Sequence, residues 1–332
     1  MSPEDLNAVL AHYPAIAHPL TKPEALGNAG GHSGVSLWRY ESGQGSLLVR
    51  AWPSDGIEAR PLAQIHQWLA LAAALDFVPM PVKDRAGRTI QQHAGRLWDL
   101  APWMPGCAEV RRPPQRARVL AGFSALGSFH QALAGQARFG PSPGLVQRLS
   151  EIESLLLGGF DVLQQIVEAA NEESPRRDAL QWLELARRAA PPCARLLAQA
   201  VTVGCRLQPC LRDIRPDHLL FQGNRVTGLI DFGAMRYETV AADLARLLSE
   251  WVEDDRWARG EALAAYSSIR RLDDSEGSLI EAFDASAALL GGGHWIRWHF
   301  LEGRVFEGPD TVDRGIARGL ERLRRRLAGT IH

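Results

Sequence analysis

Two runs of strand length near the N-terminus, SLWRY (36–40) and SLLVRAW (46–52), are rich in β-branched or aromatic residues and are separated by ESGQG, a turn signal. They predict a β-hairpin. Residues 58–76 space their apolar side chains as a helix does. VPMPV (78–82) must be extended, because each proline disfavours helix in the residue before it. TIQQHAG and RLWDLAPW read as two further strands, so the first 105 residues predict an antiparallel sheet with one or two helices. One helix opens at Ser2-Pro3-Glu4-Asp5: Ser2 can cap, Pro3 suits the first helical position and Asp5 can reach back. PGCAEVRRPP (105–114) marks a break. Helical periods then cover 114–134, 145–156, 159–170, 175–188 and 190–203, and resume at 239–252, 256–269, 276–290, 291–305 and 310–328. A strand-rich stretch, 207–233, interrupts them. The pattern predicts an α+β chain: a small antiparallel β-rich N-lobe (1–100), a connection (101–106) and a larger, mainly helical C-lobe (107–332) carrying a short hairpin.

Composition narrows the function classes. The 332 residues suffice for two lobes, and 46% hydrophobic with 23% charged residues is ordinary for a globular chain. A formal net charge of −1 gives no overall field to recruit nucleic acid or an anionic membrane. The basic C-terminal RGLERLRRRLAG reads as one solvated helix face. No apolar run approaches the ~18 residues of a membrane span, and MSPEDLNAVL lacks a secretion signature. Four cysteines (Cys107, Cys193, Cys205, Cys210) are few for a disulfide framework, so a reducing cytoplasm is expected. Cys205 and Cys210 read as buried or free thiols rather than a metal site.

The candidate chemistry sits in LRDIRPDHLLFQGNRVTGLIDFG (211–233). LLF, a Gly-Asn turn and VTGLI predict two strands, with Asp213 upstream and Asp231 downstream, so both carboxylates can reach one edge of the hairpin. Such a pair suits phosphoryl transfer: one carboxylate orients a hydroxyl or takes its proton, the other holds a divalent cation against phosphates. No Gly-x-Ser-x-Gly hydrolase motif is present, since GHSGV breaks the spacing.

These residues resemble the kinase-like fold of the aminoglycoside phosphotransferase and choline kinase family. Its pattern is His-Gly-Asp, a few residues including Pro, an Asn, a hairpin, then Ile-Asp-Phe/Trp-Gly/Glu. Asp213 matches the catalytic aspartate, Pro216 the proline, and Asp231 in Ile230-Asp231-Phe232-Gly233 the metal-binding aspartate. Asp243 in AADLARLL matches a recurrent Asp-Leu-Ala that braces the catalytic loop, ALGSFHQAL (125–133) the Leu-His helix, and LAPWMPG (100–106) the connecting segment; the resemblance covers roughly 25–255. It implies ATP, Mg²⁺ (or Mn²⁺) and a small-molecule acceptor whose hydroxyl is phosphorylated, the acceptor in some members bearing an amine.

There are departures. His-Gly is replaced by Leu211-Arg212, and the second metal ligand, Asn, by His218. An imidazole suits Mn²⁺ or Zn²⁺ better than Mg²⁺, so His218 is read as a metal ligand, a phosphate partner or a structural residue. Arg212 and Arg215 flank Asp213 and are read as stabilising transferred charge or as surface arginines. In the N-lobe, GNAGGHSG, with Gly30, Gly31, Ser33 and Gly34, resembles a phosphate-covering loop but is not a P-loop. Arg50, apolar-flanked in its strand, is the expected phosphate cation, and a charge so placed needs a partner. The following helix offers Glu58 near its start and His66 at its centre but no well-placed glutamate, so either Glu58 reaches Arg50 or the lobe is held otherwise. Trp98, Ala101 and Trp103 line the connection expected to hold the nucleobase; the two tryptophans also read as core. Glu250, Glu253 and Asp254 in SEWVEDDRW, with Trp295 and Trp298, are the acceptor-site candidates; a solvated helix end and core packing are the plainer readings. The rival from another class is a nucleotide-binding module of the same fold that transfers nothing. Leu211, His218 and the missing helix glutamate favour it; Asp213 and Asp231 argue against it.

Overall fold

The computed structural model describes residues 3–27, 34–109, 111, 113–171, 173–304, 306, 308 and 310–329. The expectations for Ser2, Gly30, Gly31 and Ser33 lie outside the described residues. In chain order the elements are α1 (Pro3–Leu10), β1 (Glu24–Gly27), β2 (Ser36–Ser42), β3 (Gly45–Ala51), α2 (Ala59–Leu71), β4 (Gln91–His93), β5 (Arg96–Pro102), β6 (Cys107–Ala108), α3 (Arg116–Ala132), β7 (Arg138–Gly140), α4 (Pro143–Ser154), α5 (Phe160–Ala169), α6 (Glu173–Thr202), β8 (Cys205–Cys210), β9 (Leu219–Gln222), β10 (Arg225–Leu229), β11 (Arg236–Glu238), α7 (Val240–Trp251), α8 (Arg256–Ser267), α9 (Asp274–Ile296) and α10 (Thr311–Gly329). The chain divides into two compact units: Met1–Ala137 with Gln208–Arg236 and Glu250–Arg271, and Arg138–Leu207 with Tyr237–Ser249 and Leu272–His332.

The first unit is built on a five-stranded antiparallel sheet, β1-β2-β3-β5-β4. Gly45, at φ +103, ends the tight turn between β2 and β3, a backbone conformation glycine takes without a Cβ penalty. Side chains alternate across the sheet. Leu47, Val49 and Ala51 of β3, Tyr40 of β2, and Trp98 and Leu100 of β5 form one buried cluster with Leu6, Val9, Leu10 and Tyr13 of the N-terminal segment. Tyr40 Oη donates to Ala17 O at 2.8 Å, and burial pushes the Tyr13 and Tyr40 hydroxyls well above the usual range. Asp5 is paired with His93 (3.1 Å). On the other face Trp52 and Leu62 are buried with Val35, and Leu37, Ile57, Ile90 and Leu97 pack against them.

The segment after β5 ties the sheet to the hairpin β9–β10. β6 pairs with β9 (Cys107↔Phe221, Ala108↔Leu220), and Thr227 Oγ1 donates to Pro105 O at 2.6 Å. Gly106, at φ +108, lies so close that a Cβ there would meet Phe221 O at 2.7 Å. Helix α3 covers the hairpin through Gly122, where a Cβ would meet Trp251 at 2.5 Å and Leu219 Cδ1 at 3.1 Å.

In the second unit two predicted helix pairs prove continuous. α6 runs through Pro191 and Pro192, although each removes a backbone donor. Its buried residues Trp182, Leu183, Ala186, Ala190, Cys193 and Leu197 keep one face through the prolines, so burial outweighs the lost bonds. α9 likewise passes Gly291-Gly292-Gly293: a Cβ on Gly292 would sit 2.5 Å from the Trp182 indole, so this glycine admits the ring rather than ending the helix. Buried Glu238 accepts from Ser142 Oγ, Gly144 N and Thr239 N (2.6, 2.6 and 2.9 Å), anchoring the start of α4. Among the described residues no cysteine forms a disulfide; burial pushes the Cys193 and Cys205 thiols up to about 11. Among the described residues no helix is long and apolar enough to cross a membrane.

Candidate active site

The hairpin explains why Asp231 and His218 meet. β9 and β10 pair from Gln222↔Arg225 to Leu219↔Leu229, with Gly223 at φ +58 in the two-residue turn. The residues just beyond the open end therefore face each other: Ile230 N donates to His218 O at 3.0 Å. His218 Nε2 lies 3.5 Å from Asp231 Oδ2 and 4.0 Å from Asp217 Oδ1. The imidazole is buried, whereas Asp231 is exposed. Burial holds His218 below its ordinary range, against the opposing charges of Asp231, Asp217 and Asp213 and with a smaller contribution from Arg215. Arg215 Nε donates to His218 Nε2 at 3.3 Å while its Nη2 reaches Asp217 at 2.9 Å. His218 Nδ1 is buried with no hydrogen-bond partner.

Backbone strain brackets the same place. Arg212 and Asp231, neither of them glycine, both take φ +65. That left-handed conformation costs about 1–2 kcal/mol for an L-residue, and it persists only where neighbours over-determine it. Phe232, buried against Phe129 (5.8 Å between ring centres), and Ile214, also buried, anchor the two turns. Arg212 holds this left-handed conformation at the position where the resembled pattern carries a glycine.

The second part of the site is on the sheet. Arg50 and Asp99 are cross-strand partners, and Arg50 Nε donates to Asp99 Oδ1 at 2.6 Å. The partner of Arg50 is therefore Asp99 of β5 and not Glu58, which sits at the N-cap of α2 and lines an open cleft of about 290 Å³ with Arg60, Gln64, Trp68, Met235 and Arg236. Trp52 Nε1 donates to Asp99 Oδ2 at 3.0 Å. Helix α2 does contribute, through its central residue: His66 Nε2 lies 3.4 Å from Asp99 Oδ2 while Nδ1 shares a 2.8 Å hydrogen bond with Thr89 Oγ1. Burial alone would raise the Asp99 carboxyl, but the Arg50 charge and the His66 interactions bring it down to about 2. Asp99, Trp52 and the use of His66 escaped the sequence reading. The signal was there: Asp99 is the one carboxylate of its predicted strand and is flanked by apolar residues, matching a lone cation in the neighbouring strand.

Strand alternation also sorts the other nucleotide-site candidates. Ala101 is opposite Leu48, on the Arg50–Asp99 face, and Trp103 follows with Arg39 stacked 4.7 Å from its ring centre. Trp98 is corrected: its parity turns the ring to the α1 face, where it is fully buried and stacked on Trp38 at 5.6 Å. It is a core residue and has no face left for a ligand. Gly34 takes φ +66 beside Pro53. Of the acceptor candidates, Glu250, Glu253 and Asp254 lie at the α7–α8 joint. Glu253 takes φ +51 and its carbonyl accepts from Arg259 (2.8 Å), while Asp255 caps α8 through Ala258 N (3.0 Å). The cap accounts for the Asp255 carboxylate of this acidic run. Trp295 and Trp298 belong to the second unit and pack edge-on at 5.5 Å, with Phe306 5.1 Å from Trp295 and the Trp295 ring close over Gly315.

An antiparallel sheet with a buried cation–carboxylate pair, followed by a helix-covered hairpin that ends in Asp-Phe-Gly, defines a kinase-like fold. The chain belongs to the phosphotransferase enzyme family (APH), whose model matches residues 24–278. Among curated proteins it is similar to the homoserine kinase of Gluconobacter oxydans (strain 621H), 26% identical over 229 residues, which cover 64% of this chain and 62% of that protein. The homoserine kinase of Gluconacetobacter diazotrophicus is 29% identical over 222 residues, 63% of this chain and 61% of that protein. The chain thus spans about three fifths of the length of these relatives. Among solved structures, a microcompartment-associated aminopropanol kinase superposes with a TM-score of 0.67 at 18% identity, over 99% of this chain and 98% of that one. An aminoglycoside phosphotransferase from Alicyclobacillus acidocaldarius gives 0.66 at 17%, over 99% and 95%. Amicoumacin kinase hAmiN in complex with AMP-PNP, Ca²⁺ and Ami gives 0.61 at 13%, over 97% and 92%. At these identities the likeness is one of fold.

Proposed function

We propose that this chain is an ATP-dependent kinase that phosphorylates the hydroxyl of a small amine-bearing alcohol. The observation that carries the reading is the open end of the β9–β10 hairpin, where Asp231 and His218 stand side by side. The names of two relatives, homoserine kinase and aminopropanol kinase, support an amino alcohol as acceptor class. Asp213 orients the acceptor hydroxyl and takes its proton. Arg50, held by Asp99, binds the triphosphate, and Arg212 and Arg215 neutralise charge on the transferred group.

Asp231 and His218 fit a divalent cation: one exposed carboxylate oxygen and one imidazole kept neutral by burial, 3.5 Å apart. Such a cation supplies charge neutralisation between phosphates, and an N/O donor pair suits Mn²⁺ at least as well as Mg²⁺. A second reading, nucleotide binding without transfer, draws on Arg215, whose Nε already engages His218 Nε2.

Purified chain is incubated with ATP, Mg²⁺ or Mn²⁺, and homoserine, 1-amino-2-propanol or an aminoglycoside, and ADP release is followed. Acceptor-dependent ADP is expected, and D213N should slow it about 10²–10⁴-fold with ATP affinity within about twofold of the parent. Nucleotide binding with no turnover on any acceptor selects the second reading.

A further inference from the structure

Trp52 connects two parts of the candidate site that no motif connects. Its indole Nε1 donates to Asp99 Oδ2, the carboxylate whose other oxygen holds Arg50. The Arg50 guanidinium carbon also lies 5.6 Å from the centre of the indole. The opposite edge of the same ring faces the Asp-Phe-Gly turn. A Cβ built on Gly233 would be 3.3 Å from both Cη2 and Cζ3 of Trp52 and 3.8 Å from Asp231 Oδ1. Trp52 is buried, so the ring is held in this orientation by packing as well as by its hydrogen bond.

We propose that Trp52 is a positioning residue that couples the phosphate-binding cation Arg50, through Asp99, to the cation-binding turn at Asp231–Gly233. The inference rests on the phosphotransferase reading for its functional meaning. The physical reason is rigidity. An indole pinned at one edge by a charge-assisted hydrogen bond cannot tilt without breaking that bond. Its far edge walls a turn whose Asp231 sits at φ +65 and needs walls to stay there. A triphosphate drawing on Arg50 shifts the carboxylate that Trp52 shares, and the shift is passed to the turn. A cation bound at Asp231 acts in the reverse direction by the same path, as linkage requires. A Cβ at position 233 would require the ring to give by a few tenths of an ångström.

The test compares the full chain with W52F and D99N in two measurements. Native-state amide exchange, without ligand, follows residues 232–235, where Met235 N donates to Phe232 O. W52F keeps a ring but loses the donor; it should exchange at these amides at least about fivefold faster, with strand β3 within about twofold of the parent. D99N keeps Trp52 and should move the same amides in the same direction. ATP binding is then measured in EDTA and in Mn²⁺. For W52F the affinity in EDTA should stay within about twofold, while that in Mn²⁺ should fall about fivefold or more. Unchanged exchange at 232–235 in W52F overturns the proposal. An equal loss of ATP affinity with and without Mn²⁺ also overturns it, because Trp52 would then act on the Arg50 clamp alone. If the parent chain binds no ATP, the phosphotransferase reading fails, and the exchange data decide the mechanical coupling separately.

Discussion

Replacing Asp99 with leucine tests whether Arg50 owes its place to one buried carboxylate. The Asp99 side chain is fully buried and that of Arg50 only 14% exposed, so solvent does little to screen the pair. The mutation leaves a guanidinium without its counter-charge and the Trp52 N–H without its acceptor. Breaking a buried pair from one side costs about 3–5 kcal/mol, whereas replacing both partners by apolar side chains is often close to neutral. The residual cost of R50M/D99L should then be the orphaned indole N–H, about 1–3 kcal/mol, together with the lost His66 contact. The single variant should therefore be less stable than the double.

The same contacts give the pair a pH dependence. The Asp99 carboxyl falls from an ordinary 3.8 to about 2, which corresponds to about 2 kcal/mol. Because the folded-state value is the lower one, this stabilisation is fully present above pH 3.8 and is lost as pH falls through 2. The deletion effect is the larger of the two, since protonation leaves an oxygen for Trp52 and leucine does not. Urea denaturation followed by tryptophan fluorescence, at neutral pH and between pH 4 and 2, reads both. A D99L chain within about 1 kcal/mol of the parent, or one no more stable after R50M is added, would refute the reasoning.

Two further outcomes follow from the hairpin. H218N exchanges an imidazole for a harder amide oxygen, so the preference for Mn²⁺ over Mg²⁺ in metal-dependent ATP binding should fall several-fold; an unmoved preference removes His218 from the cation site. R212G relieves a left-handed φ but adds unfolded-state freedom, so thermal stability should change by about 1 kcal/mol or less. Turnover should nevertheless drop with the loss of the cation beside Asp213, and retained turnover would assign Arg212 to the surface.

Much of the layout was legible because burial leaves a periodic trace. The β2–β3 hairpin, α2, α3 and the β9–β10 hairpin fall where their patterns place them, and the Asp213 and Asp231 motifs are local in sequence. Short strands were not legible. β1, β6, β7 and β11 span two to four residues each, too few for a period to register. The Pro-Pro of α6 and the three glycines of α9 were read as breaks, because local propensity cannot anticipate a helix face buried along its whole length.

The sequence by itself determined the class of fold and the order of its motifs, since these depend on neighbours along the chain. Only the tertiary structure decided that Arg50 pairs with Asp99, that Trp98 turns into the core, and that Trp52 lies between Asp99 and Gly233. Those outcomes depend on strand order, register and side-chain parity, which bring together residues 49 and 181 positions apart. No local pattern encodes such distances. They are set when the sheet buries one face and the charges left on the other must find each other.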